Sequence, residues 1–436
     1  MVRLLLVVLV MAAGYAILKK HIRWTEDGTL SVSSDIISYL EASSAMLNGT
    51  DIYHRASGER NSYVYPPFLA FCLIPATFVH PLIIDVCWYV LNVGLLVLIL
   101  SWGYSLLAGL SFRSLSLRHK MLFALLPSVL AIRYIVRNLQ DANVNIVLLA
   151  LIIGGTILVE RRQNPRWALL VGIAAAIKIL PALILLYYGA RRKWREAMYM
   201  VAAAVGATLL PVLWLGTDRL YSYLRFFLSY ASDQFSAKGL PIENFSFWGL
   251  AGRLLTSTIA FVSTRGEPVA VNIADFDLES VRVGITILLL GIITCLAWIL
   301  HRYSSMDRGT PRFPRYGDLV LTILLMNMLS ILIQDHHTVS FVLAMQYVIV
   351  ASWAIVRHRP LLMGIIVTCG LLSTLISYDV IVPIWGKDFY ARLLAWSLPV
   401  LPVGVALVVT TAWVMLWGER ADAGQEPSRM VKTATV

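Results

Sequence analysis

The sequence predicts an all-α polytopic membrane protein. Three observations lead there. Of 436 residues, 58% are hydrophobic and only 14% charged, where a soluble domain carries about a quarter charged residues. Apolar runs recur from end to end, each long enough to cross about 30 Å of hydrocarbon as a helix. Solid runs also argue against a β-barrel, whose strands alternate. The Lys and Arg that give a net charge of +11 cluster in short loops beside those runs, the pattern of cytoplasmic loops rather than of a nucleic-acid surface.

About twelve candidate spans follow in order: 2–18, 66–80, 84–108, 120–136, 142–160, 167–189, 196–214, 283–301, 316–333, 338–356, 361–377 and 395–417. The first lacks a small-x-small cleavage site after it and reads as a retained span. Residues 1–418 form one transmembrane domain, and the polar stretch 419–436 reads as a disordered cytoplasmic tail. The basic segments 190–195, 301–315 and 357–359 agree with the C-terminus when counted as cytoplasmic. Residues 19–64, about 215–282 and 378–394 then lie outside, with the turn at Asp335 to His337. "KKHIR" at 19–23 opposes this orientation. The basic segments 111–120 and 160–166 fall outside if 66–80 spans. They fall inside if 66–80 only dips into the membrane and 167–189 is a re-entrant hairpin.

The four cysteines have neither paired nor metal-type spacing, so no disulfide or structural zinc is expected. In the first outer loop, Ile36, Tyr39, Leu40, Met46 and Leu47 share one helical face, which predicts an amphipathic juxtamembrane helix ended by Asn48-Gly49. Asp35 opens that helix. It reads as a cap favoured by the helix dipole, or as a carboxylate held at the membrane surface to act as a general base. Pro66-Pro67, after Tyr63 and Tyr65, predicts a rigid elbow into the next helix.

"RNLQDANVNIV" places Gln140, Asp141, Asn143 and Asn145 at the head of a span, where they cap the helix or bond a neighbouring one. Lys178 stands about eleven residues from either end of an apolar run, too deep to snorkel easily. It reads as a cavity-facing ammonium whose natural partner is an anion, and Pro181 opens the backbone nearby. Arg253 sits on the apolar helix of "ENFSFWGLAGRLL", either as an interface anchor or as a phosphate ligand. The Asp-x-Asp at 275–277 reads as a solvated turn. "LSILIQDHHTVSF" sets Asp335, His336 and His337 between two apolar segments, either as an exposed tight turn or as a cavity wall.

An Asp-led helix ending "NGTDIY", then "YVYPP", "DANVNIVLLAL", "GIAAAIKILP", "RRKW", "ENFSFWGLAGRLL" and a late "DHH" run in one order. That order resembles glycosyltransferase family 87 over roughly residues 30–345. The family is a GT-C-type group of integral membrane enzymes that includes polyprenyl-phosphate-mannose-dependent α-mannosyltransferases. Two motifs depart from it. The family has Gly-Gln before the valine-asparagine pair, where this chain has Asp141-Ala142-Asn143. It often has Asn-Gln-Ser, where this chain has Asn244-Phe245-Ser246.

The resemblance implies a GT-C-type bundle and a polyprenyl-phosphate donor, mannose being the family's usual sugar. It implies a glycolipid or cell-envelope glycan acceptor, inversion at the anomeric carbon, and transfer on the outer face of the plasma membrane. It makes Asp35 the general base and sets His336 and His337 near the donor phosphate or the acceptor. Lys178, Arg253 and the histidines are the groups able to take the leaving phosphate's charge. Asp51, Tyr65, Asn143, Asn244 and Asp335 are secondary candidates. No cofactor or divalent metal is expected, because the phosphate is already a fair leaving group. A lipid transporter or flippase is the rival reading, but the internal repeats typical of such folds are not apparent.

Overall fold

A computed structural model describes residues 34–53, 63–108, 110–233, 242–306, 316–354 and 359–417, with 14, 15, 19, 22–24 and 30–32. The candidate span 2–18 and the tail 419–436 fall almost wholly outside the described residues. The structure is about 79% helical. The strands are two short antiparallel hairpins, Ile22–Trp24 with Leu30–Val32 and Phe261–Val262 with Pro268–Val269.

Among the described residues, three helices are long and apolar enough to cross a membrane: Pro81–Ala108, Trp194–Leu215 and Leu278–Arg302. Two further apolar runs are bent pairs. Leu117–Leu130 meets Ile132–Gln140 at 66°, and Arg359–Leu375 meets Tyr378–Trp385 at 60°. Counting each pair as one span gives up to five. Several runs that read as single spans are thus interrupted, and prolines account for two of the interruptions. A proline lacks the amide hydrogen and its ring crowds the carbonyl four residues back. Pro181 does this to Ile177, where the helix stops. Lys178 is extended (φ −146°, ψ 131°), and the chain resumes as a 3-10 turn at Leu180–Leu183 and a helix at Ile184–Ala190. Pro127 does it to Phe123, inside a π-turn at Met121–Leu125. The carbonyl freed there accepts Gln346 Nε2 at 2.7 Å, and the same nitrogen donates to Leu100 O at 2.8 Å. A buried glutamine in an apolar helix thereby satisfies backbone that could not be left bare in lipid.

The two bends are tied to each other. Arg133 lies just past the first bend and donates to Ser373 O (3.2 Å) and Ile376 O at the second. A cation is favoured there, since the last carbonyls of a helix lack intrahelical donors. Arg133 also holds Asp335, through Nε at 3.3 Å and Nη2 at 2.8 Å. The late acidic turn is thus anchored where both bends meet.

The Asp35–Leu47 helix buries Ile36, Tyr39, Leu40 and Met46 and leaves Leu47 partly covered. It packs on Pro67–Leu73 and the following 3-10 turn, Ile74–Phe78. At 1.5 Å per residue the Pro67–Phe78 stretch is about 18 Å long, short of the hydrocarbon thickness. Elsewhere, Gly172 lets two helices approach closely. A Cβ there would collide with Met200 O and Ala203 Cβ of Trp194–Leu209. Asp318, fully buried, pairs with Arg191 through Oδ2 (2.6 Å) and Oδ1 (3.0 Å), and that guanidinium lies over the rings of Tyr187 and Tyr316.

Candidate active site

The candidate site is assembled from four separate stretches around Asp35. Ser34, not Asp35, occupies the N-cap position, and its hydroxyl donates to Asp85 Oδ1 at 3.2 Å. Asp35 is the first residue of the helix proper, with its carboxylate in the favourable field of the helix N-terminus. Its amide donates to Asp141 O at 2.9 Å. Among the described residues its carboxylate accepts one hydrogen bond, from Asn143 Nδ2 at 2.6 Å. Burial, the largest influence, raises its pKa above the ordinary carboxylate range. His336, the Asn143 hydrogen bond and Lys178 oppose that rise, while Asp141 adds to it.

Tyr65 stands behind this pair. Its hydroxyl lies 3.3 Å from Asn143 Nδ2 and accepts from Tyr39 OH at 3.4 Å. The elbow at Pro66-Pro67 holds it there. Tyr63 OH donates to Pro66 O (2.7 Å) and accepts Ala70 N–H (3.1 Å), and Tyr53 OH donates to Tyr65 O (2.9 Å).

Lys178 projects from the helix break, partly buried, with its ammonium 5.7 Å from the centre of the Tyr65 ring. Its one hydrogen-bond acceptor among the described residues is Asn145 Oδ1, at 3.1 Å. Asn145 and Asn138 both donate to His336 O, at 3.0 and 3.1 Å. These amides link the Lys178 break to the histidine turn.

The two histidines face different spaces. Their rings stand edge to face, 4.3 Å apart. His337 lines a small cavity with Lys178, Asn145, Leu148, Leu180 and Met326. Burial, with Lys178 and His336 close by, holds His337 well below the usual imidazole pKa. His336 instead lines a larger cavity of about 540 Å³ that mixes apolar and charged residues. Its Nδ1 is 2.8 Å from Asp141 Oδ2. A carboxylate there fixes Nδ1 as the donor and leaves Nε2 as the reactive nitrogen of the ring.

The structure therefore brings together Asp35, Tyr65, Asn143, Lys178, His336 and His337. The other candidates lie in different roles. Arg253 is fully buried, and its guanidinium donates to Ala395 O (2.8 Å), Asn244 O (2.9 Å) and Ser397 Oγ (3.0 Å). Asn244 docks its own loop on the segment before the histidines, through Ile331 O (3.0 Å) and Ile333 N–H (3.1 Å). Asp51 accepts Tyr53 N–H at 2.9 Å in an exposed turn. Asp335 is the partner of Arg133. In the Asp-x-Asp, Asp275 accepts Ser257 N–H and Asp277 accepts Ser280 N–H, both loop contacts.

The sequence reading did not single out Asp141, Asn145 or Arg133 as partners of the histidine turn. Asp141 and Asn145 were legible only as polar residues heading a span. Their destination lies about 190 residues away.

Residues 63–331 match the pattern of glycosyltransferase family 87. That stretch holds Tyr65, Asn143, Lys178 and Arg253; the histidine pair lies just after it, and Asp35 lies well before it. The chain is also 29% identical over 224 residues to a polyprenol-phosphate-mannose-dependent alpha-(1-2)-phosphatidylinositol mannoside mannosyltransferase of Mycobacterium tuberculosis, covering 48% of this chain and 51% of that protein. To the protein of the same description from Mycolicibacterium smegmatis it is 28% identical over 202 residues, covering 43% and 45%. The chain thus spans about half the length of the curated relatives it matches. The family match covers well over half of the sequence, and the chain belongs to glycosyltransferase family 87.

Proposed function

We propose that the chain transfers mannose, with inversion, from a polyprenyl-phosphate donor to a glycolipid acceptor on the outer face of the plasma membrane. The observation that carries this reading is Asp35 itself. It is a half-buried carboxylate with one amide donor, an ammonium and an imidazole close by, and a pKa raised above the ordinary carboxylate range. The names of both similar mannosyltransferases support the choice of donor and acceptor class.

In the proposed step the acceptor hydroxyl attacks the anomeric carbon from the face opposite the phosphate. Asp35 takes the hydroxyl proton, the carbon–oxygen bond to the acceptor forms, and the bond to phosphate breaks with its electron pair left on the phosphate. A base of this kind contributes about 10²–10⁴-fold, most effectively when its pKa approaches the working pH. Lys178 meets the charge that develops on the phosphate, with Asn145 and His337 on the same cavity. In this reading the cations are the protein's own and the step is metal-independent.

The test is turnover of a panel of polyprenyl-phosphate sugars by the purified full-length protein with membrane lipid extract, with and without EDTA, read by mass spectrometry. Mannose transfer by the wild type, unaffected by EDTA and reduced at least about 10²-fold in Asp35→Asn, is expected. Equal turnover by both would move the base elsewhere. No turnover of any donor would sink the reading.

A further inference from the structure

The cavity of about 540 Å³ on the His336 side has no part in the proposed proton and phosphate chemistry. Its size falls within the range of small-molecule sites. Two features of its lining select a ligand class. The first is charge. Asp141, Glu243, Asp335 and Asp379 line it, against Arg133 and Arg137, so carboxylates outnumber guanidiniums by four to two. Arg133 is committed to Asp335 at 2.8 Å, and Arg137 stands 3.6 Å from Asp141. A surface with that balance repels a phosphate and suits neutral hydroxyls, which donate to carboxylates and accept from guanidiniums.

The second feature is aromatic. Tyr378 and Tyr390 line the same cavity edge to face, 5.6 Å apart at 88°. Tyr378 is 49% exposed. An exposed ring beside carboxylates and amides offers an apolar face for the C–H side of a sugar and polar groups for its edge. The cavity is also next to the base. His336 and Asp141 are part of its wall, and the Asp141 carbonyl accepts the amide of Asp35.

We infer that this cavity is the acceptor subsite and that it takes a short, neutral, hydroxyl-rich glycan headgroup. The two substrates then approach Asp35 from opposite sides of the histidine pair. The anionic lipid donor lies on the Lys178 side with His337, and the neutral glycan on the His336 side. Tyr378 and Arg137 are specificity residues for the acceptor, since both face the cavity and neither contacts Asp35. This assignment rests on the glycosyl-transfer reading above, but its test needs no donor.

The experiment is saturation-transfer NMR on the full-length protein in nanodiscs, with α-linked mannobiose, mannotriose and a phosphorylated mannobiose as probes. The wild type is expected to bind the neutral glycans and to bind the phosphorylated one more weakly. Tyr378→Ala should weaken neutral binding about tenfold or more, equivalent to about 1.4 kcal/mol, and Arg137→Ala should weaken it less. Tyr378→Phe, which keeps the ring, should bind as the wild type does and reports that this region remains folded. Absence of neutral-glycan binding by the wild type overturns the assignment. So does unchanged binding in Tyr378→Ala, or tighter binding of the phosphorylated probe. Failure of donor turnover in the separate assay would instead strike the glycosyl-transfer reading and leave this binding result standing on its own.

Discussion

Lys178 and Arg253 are both cations set in apolar stretches, and both are candidates from the sequence for the donor phosphate. The structure separates them by what surrounds each. Arg253 is fully covered and its guanidinium is taken up by two carbonyls and a hydroxyl. Lys178 is partly open to a cavity, and its ammonium meets one neutral amide oxygen. An ammonium has three donors, so Lys178 retains capacity for an anion. A buried cation is a ligand site only where the protein has not already supplied its acceptors. Arg253 instead joins the 395–397 turn to the loop of Asn244, which itself carries the segment leading to the histidines.

The largest expected effect breaks the two apart. Lys178→Met should lower mannose transfer by about 10²–10³-fold, the usual loss for one preorganised group at a developing charge, with the thermal unfolding midpoint little changed. Arg253→Met should do the reverse. It strands three acceptors in a dry site, at a cost of about 3 kcal/mol, and should show first as a lower unfolding midpoint in detergent. If Arg253→Met unfolds like the wild type but loses donor binding, the contrast between the two cations is mistaken.

The next effect concerns the charge state of Asp35. A general base works only when ionised, so the rate should rise with pH through the Asp35 pKa. Burial has already moved that pKa up, and the hydrogen bond from Asn143 pulls it back down by favouring the charged form. Asn143→Ala removes the downward pull. The acid limb of the kcat/KM profile should therefore move to higher pH. Lys178→Met should shift its residual activity in the same direction. A limb that stays put or moves down would mean that Asp35 is not the titrating base.

How much of this was legible in the sequence follows from the range of each interaction. The helical class was plain because apolar runs are local. The break at Lys178 was legible for the same reason, since Pro181 acts four residues back on Ile177. The amphipathic face of Asp35–Leu47 obeyed its periodicity, with only Leu47 less covered than the pattern suggests. The apolar run near 120–136 read as one span; Pro127 is a local sign of its π-turn, but the size of the bend at Ala131 was not legible. The pairing of Arg133 with Asp335 and of Asp141 with His336 spans about 200 residues in each case. No spacing rule reaches that far, so a polar residue heading a helix could be recognised but its partner could not. The reading of Asp35 as a capping acid failed at short range for a simpler reason, because Ser34 takes the N-cap position.

The smallest expected effect sharpens the comparison at the hinge between the two substrate sides. Ala142 has φ +51°, a left-handed conformation that costs a residue bearing a Cβ about 1–2 kcal/mol. The conformation has a use. It lets Asp141 turn to His336 and the larger cavity while Asn143 turns to Asp35, two residues apart on opposing errands. Ala142→Gly should relieve the strain, offset in part by the greater freedom of glycine in the unfolded chain. A net gain of about 0.5 kcal/mol is expected, read as a slightly higher unfolding midpoint, with transfer retained. Ala142→Val should move both the other way, because a β-branched side chain is poorly tolerated at positive φ. If glycine lowers the midpoint instead, the left-handed turn is not strained, and Asp141 and Asn143 owe their divergence to their partners rather than to the backbone between them.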